Sequence, residues 1–106
     1  MNQDELNLEL LRRANGRLTQ KSLSRELGYS VGKVNYILKA LVDKGLIKIE
    51  NFATAENKKQ YYYLLTSKGI EEKLRLTKKF VLRKKKEYEE LQRELKELEK
   101  QLSKST

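Results

Sequence analysis

Gly32, Asn35, Tyr36 and Lys39 stand at i, i+3, i+4 and i+7, the spacing that places four residues on one stripe of an α-helix. Their chemistry suits the edge of a base pair. A carboxamide at Asn35 can pair bidentately with N6 and N7 of adenine, and Tyr36 can donate to a base or phosphate while its ring covers a thymine methyl or a sugar. Lys39 and the adjacent Lys33 offer cations to guanine or phosphate. Gly32 costs about 1 kcal/mol inside a helix, so its use would be to let the backbone come close to a partner. The bland alternative is a polar surface with one half-buried aromatic; it is the weaker one, because a helix laid in a major groove reaches base edges through such a stripe. Thr19 and Ser30 serve first as helix N-caps and secondarily as phosphate donors, and backbone N–H groups at Gln20 and Lys21 are further phosphate contacts, with Ser22 and Arg25 as weaker ones. Asn57, Lys58 and Lys59, in a polar connection between two apolar segments, could enter or flank a minor groove; a merely solvated loop is the competing account.

Other chemistries lack their tools. The chain of 106 residues has no Cys and no His, which removes disulfides, thiolate nucleophiles, imidazole bases and the common zinc sites. Its two aspartates, Asp4 and Asp43, are far apart with no metal-binding pattern around them. An enzyme is therefore not expected, nor is a cofactor or a metal. Gly28-Tyr29-Ser30-Val31-Gly32-Lys33 looks briefly like a phosphate loop, but it has three residues between the glycines where four are needed, and Val34 stands in the Ser/Thr place. With 24 Lys and Arg against 15 Asp and Glu, the net charge is 24 − 15 = +9, which favours a polyanionic partner: nucleic acid or an anionic membrane surface. No apolar run approaches the roughly 18 to 20 residues that cross a bilayer, and the acidic start Met1-Asn2-Gln3-Asp4-Glu5 is unlike a signal peptide, so a cytoplasmic location without membrane contact is expected.

The elements that would position the stripe follow from apolar spacing and punctuation. Leu6, Leu8, Leu10 and Leu11 permit a first helix over Asp4 to Ala14, stopped by Asn15-Gly16. Thr19 caps a second helix carrying Leu23 and Leu27 and closed by Gly28. Ser30 caps a third, in which Val34, Leu38 and Leu41 mark the inner face up to Lys44 and Gly45. Two short helices about a tight turn make a helix-turn-helix. The period then changes, with Leu46 to Phe52 alternating around Ile47 and Ile49, and Tyr61 to Leu65 reading as a second strand. A hairpin with the polar connection 53–60 at its tip, placed directly after a helix-turn-helix, is a wing, and Arg17-Leu18 could add a minimal third strand. Tyr61 and Tyr63 should pack inward with Tyr62 on the other face; this is preferred to base stacking by the tyrosines.

From Thr66 to about Leu102 the pattern is one helix, roughly 36 residues and about 54 Å long. Leu74, Val81, Tyr88, Leu95 and Leu102 recur every seven residues, with Ile70, Leu91 and Leu98 at the companion positions and Thr77 and Lys84 as defects. This apolar stripe is the expected homodimer interface. Charge is sorted along the helix: residues 70–86 hold eight cations against two Glu, or +6, whereas residues 87–106 hold four against six, or −2. A parallel pair would set Glu94 against Glu99 and Lys73 against Lys78, which tilts the expectation toward an antiparallel pair or a shared seam. Glu71–Arg75 and Glu89–Arg93 are spaced for i, i+4 ion pairs.

Thr19-Gln20-Lys21-Ser22-Leu23-Ser24-Arg25-Glu26-Leu27-Gly28-Tyr29-Ser30 and the following Val31-Gly32-Lys33-Val34-Asn35-Tyr36 resemble the bacterial winged helix-turn-helix transcription regulators. Asp43-Lys44-Gly45-Leu46-Ile47 and Tyr63-Leu64-Leu65-Thr66-Ser67-Lys68-Gly69-Ile70 look like the entry to and exit from the wing in the MarR superfamily. Gly32-Lys33-Val34-Asn35-Tyr36 with the long basic helix looks most like the small EPS-associated members, found with extracellular polysaccharide genes. The resemblance implies an α+β, mainly α fold: a winged helix-turn-helix domain over residues 1–66, then a long coiled-coil helix over 67–106 for dimerisation. It implies a transcription regulator that binds double-stranded DNA as a homodimer. The N-terminal extension with which full-length MarR proteins complete their dimer has no counterpart, so neither their dimer geometry nor their small-molecule pocket is carried over. The rival readings are a protein-docking winged helix and a non-specific nucleic-acid binder, with an anionic membrane last.

Overall fold

The computed structural model describes residues 2–14, 19–52 and 60–105. The order of elements is α1 (Gln3–Arg13), α2 (Gln20–Leu27), α3 (Val31–Asp43), β1 (Ile47–Phe52), β2 (Gln60–Leu65) and α4 (Ser67–Ser105). The architecture is α+β and mainly α, as the residue pattern requires. The expected stop at Asn15-Gly16 and the minimal strand at Arg17-Leu18 fall outside the described residues.

Each boundary has a local cause. Asn2 caps α1 by accepting the Glu5 N–H at 2.8 Å, and Thr19 caps α2 by accepting the Ser22 N–H at 3.2 Å. Gly28 then turns into the left-handed region at φ +73°, its N–H bonding the Ser24 carbonyl, so only Gly28 and Tyr29 separate α2 from the Ser30 cap of α3. Ser30 accepts the Lys33 N–H at 3.2 Å. α3 ends at Asp43 with Lys44 as its cap; Gly45 follows at φ +75°, and the Leu46 N–H reaches back to the Leu41 carbonyl at 3.0 Å, which turns the chain into β1.

The two strands pair antiparallel, Ile47 opposite Leu65 and Phe52 opposite Gln60. Leu6, Leu8, Leu10 and Leu11 of α1, Leu23 of α2, Val34, Ile37, Leu38 and Leu41 of α3, and Ile47 and Tyr63 of the hairpin make the core. Tyr63 packs inward as expected, and Tyr62 is half-buried. The alternation in β1 is only half used: Ile47 is buried, whereas Ile49, two residues on and on the same face, is 47% exposed. That face is covered where β1 leaves α3 and less so farther along the hairpin.

Two features of α4 were not legible in its heptads. Its inward contacts come from Gly69 and Leu76, the latter 1% exposed, and not from the heptad stripe. Thr66 fixes the approach: its N–H bonds the Leu46 carbonyl at 3.1 Å, and its hydroxyl donates to the Gly45 carbonyl at 2.5 Å and accepts the Gly69 N–H at 3.0 Å. Arg75 pairs with Glu72 at i, i+3 instead of with Glu71, and Glu89–Arg93 is not among the ion pairs of the described residues. Surface pairs of this kind contribute about 0 to 1 kcal/mol, so the difference leaves the fold unaffected.

Between α1 and α2, Arg13 bridges Glu9 of its own helix and Glu26, the latter at 2.9 Å. The hydrogen bond from Arg13 holds the Glu9 carboxyl below the usual carboxylate value, against partial burial, with Arg12 adding to it. The chain divides into two compact units, Met1–Leu76 and Thr77–Thr106. Within the second, every described residue beyond Phe80 is exposed. Among the described residues, no helix is long and apolar enough to cross a membrane.

Candidate nucleic-acid interface

The stripe is where the spacing put it. With Val34, Ile37, Leu38 and Leu41 turned into the core, Gly32, Asn35, Tyr36 and Lys39 face outward, and Tyr36 is 76% exposed. A tyrosine that open lies outside the core, with its ring and hydroxyl turned to solvent. Gly32 is equally telling. A Cβ built on it meets nothing within 4 Å, and its φ lies outside the left-handed region, so neither space nor backbone conformation within the chain calls for glycine here. A residue that weakens a helix, by about 1 kcal/mol in an interior and by less in this first turn, thus has no internal reason to be small.

The charged and polar surroundings are more organised than the sequence suggested. Lys33 extends over the ring of Tyr29, its Nζ 4.2 Å from the centroid, a cation–π contact across i, i+4 that directs the ammonium from the turn. That spacing was visible in the sequence, but only the turn geometry brings ring and cation together. The sequence points to Gln20 only as a backbone donor, yet its side-chain Nε2 donates to Asn35 Oδ1 at 2.6 Å, joining α2 to the outer face of α3. Thr19 and Ser30 are caps as read, and the Thr19 and Ser22 hydroxyls lie 2.9 Å apart. The cap satisfies the Ser22 N–H, and the N–H groups of Gln20 and Lys21 belong to the same first turn, where a helix presents its positive end. Lys21 and Arg25 are exposed. Asn57, Lys58 and Lys59 lie outside the described residues.

Three helices, the middle turn of which carries a left-handed glycine, followed by an antiparallel hairpin, present one polar helix face. Residues 8–48 match a family model described as winged helix-turn-helix DNA-binding. The segment is a winged helix-turn-helix. Solved structures extend the likeness in fold to the whole chain and to MarR-type regulators. The crystal structure of MepR, a transcription regulator of the Staphylococcus aureus multidrug efflux pump MepA, has a TM-score of 0.66 at 24% identity over 100% of this chain and 80% of that one. A complex of S. aureus MepR with DNA gives 0.64 at 24% identity, over 100% and 78%. A MarR/EmrR family transcriptional regulator from Acinetobacter sp. ADP1 gives 0.61 at 23% identity, over 81% and 59%. These relatives in fold are described as transcription regulators. No curated protein matches the chain. In winged-helix terms α3 stands at the place of the recognition helix, and α2 at the place of the helix before it.

The stripe assigned to dimerisation belongs to α4. Leu74, Val81, Tyr88, Leu91, Leu95, Leu98 and Leu102 are all exposed, each by more than half.

Proposed function

We propose that this chain is a sequence-specific regulator of transcription that binds double-stranded DNA as a homodimer in the cytoplasm. The observation that carries the reading is the outer face of α3, where an unengaged tyrosine, an asparagine and a lysine flank a glycine the fold does not need. A side chain is missing where a partner must come close, and the donors and acceptors on either side match base edges. The +9 charge supplies the sequence-independent part of the attraction. In this reading Ser30, Lys33 and the first turn of α2 hold phosphates, while Asn57, Lys58 and Lys59 reach the adjacent minor groove. The MepR–DNA complex, of the same fold, supports duplex DNA as the partner. The exposed leucines of α4 join two copies, and the string Gly32 to Tyr36 makes polysaccharide-related genes the targets to examine first.

The test is a pair of affinities. Asn35→Ala should weaken binding to the preferred duplex by about 1 to 3 kcal/mol while leaving affinity for random duplex almost unchanged, measured by fluorescence anisotropy at fixed salt. An equal loss on both would make Asn35 a backbone contact and remove base readout from α3.

A further inference from the structure

The Asn35 carboxamide is nearly symmetric in shape and opposite in chemistry at its two ends. A solvent-facing asparagine turns over freely about χ2, so it can offer adenine one acceptor and one donor together. Here it is not free to do so. Gln20 Nε2 donates to Asn35 Oδ1 at 2.6 Å, which turns the acceptor end toward α2 and leaves the two N–H donors of Nδ2 facing outward. Gln20 is itself held. It is the first residue of α2, half-buried, with its side chain beside the phenol of Tyr63, a core residue of β2. Burial raises the Tyr63 phenol above its ordinary value, and the Gln20 side chain works against this.

We infer that Gln20 is a specificity-determining positioning residue, which fixes the Asn35 amide donor-outward so that Asn35 reads a base offering two acceptors, guanine through N7 and O6, in preference to adenine. The inference rests on the reading of α3 as the base-reading helix. It revises the adenine pairing that an unconstrained asparagine suggests. Gln20 sets the choice from α2 through its bond to Asn35, without needing to touch the base.

The experiment uses selection from randomised duplexes with the full chain and its variants. First, Asn35→Ala identifies the position whose preference Asn35 governs; if no position depends on Asn35, the reading of α3 fails whatever Gln20 does. At that position the wild type should favour guanine over adenine by about tenfold. Gln20→Met keeps the length and loses the hydrogen bond, so the amide can turn and adenine is admitted: discrimination should fall below about threefold, with other positions of the site unaltered. Gln20→Glu offers only acceptors, pulls Nδ2 inward and should shift the preference toward bases that present a donor, cytosine or adenine. Wild-type selection of adenine there, or a guanine preference in Gln20→Met equal to that of the wild type, overturns the proposal. Should the added carboxylate of Gln20→Glu abolish binding, the uncharged Gln20→Met decides alone. Because the readout is a ratio between two bases, a general loss of stability would not imitate it.

Discussion

Gly69→Ala should lower the melting temperature sharply, although the same change at Gly32 should raise it. A Cβ on Gly69 would lie 2.0 Å from the Leu46 carbonyl oxygen and 3.0 Å from its carbon, both backbone atoms that cannot swing aside. The Leu46 carbonyl is pinned by the Thr66 N–H, and Thr66 is tied to Gly45 and Gly69, so relief would require α4 to move off the hairpin exit. Overpacking of this kind costs about 3 kcal/mol or more, against a gain of at most about 1 kcal/mol from helix propensity, so the clash wins. For a domain of this size that loss lowers the melting temperature by roughly 12 to 24 °C. At Gly32 the new methyl meets nothing and only a propensity gain remains, at most about 1 kcal/mol because the position lies in the first turn of α3, so the melting temperature rises by at most roughly 4 to 8 °C. If Gly32 is small for the sake of DNA, that stabilised variant should nevertheless bind its site less tightly. Thermal unfolding by circular dichroism checks the first pair of signs; equal shifts for the two variants would contradict the assigned roles.

The second large effect is expected in α4. Leu95 and Leu98 are 56% and 53% exposed on a stripe that continues through Leu91 and Leu102. Burying such leucines stabilises a pair of helices by about 1.5 to 3 kcal/mol each before the entropy of association is subtracted, so two copies should join along this stripe. Replacing both with Asp places charge in the seam. The variant should sediment as a monomer with the Met1–Leu76 unit still folded, and operator affinity should fall by roughly a hundredfold as the second half-site contact is lost. A double variant that remains a dimer at sedimentation equilibrium would put the interface elsewhere.

Local punctuation carried most of what could be read from the sequence. Asn2 apart, the caps at Thr19 and Ser30 and the left-handed glycines at 28 and 45 were visible as residue types at fixed offsets, because these boundaries depend on neighbours in the chain. The outward stripe of α3 followed from the inward one by helical period alone. What escaped were contacts between elements. Leu76 falls outside the heptad stripe because it answers to the core of the first unit and not to a repeat. Gly69 reads as an ordinary break near a helix start until the Leu46 carbonyl is seen against it. Gln20 and Asn35 are fifteen residues apart, and no period relates them. Ile49 shows the converse, an alternation that predicts a face but not how far along the hairpin the core reaches.

The most direct measurement is selection of the purified full chain on randomised duplex DNA in the presence of excess random competitor. The account predicts one enriched site, an inverted repeat whose half-sites are centred about 34 Å apart or a multiple of that, bound several orders of magnitude more tightly than random duplex. Enrichment of no sequence, with equal affinity for selected and random duplexes, would contradict base readout by α3.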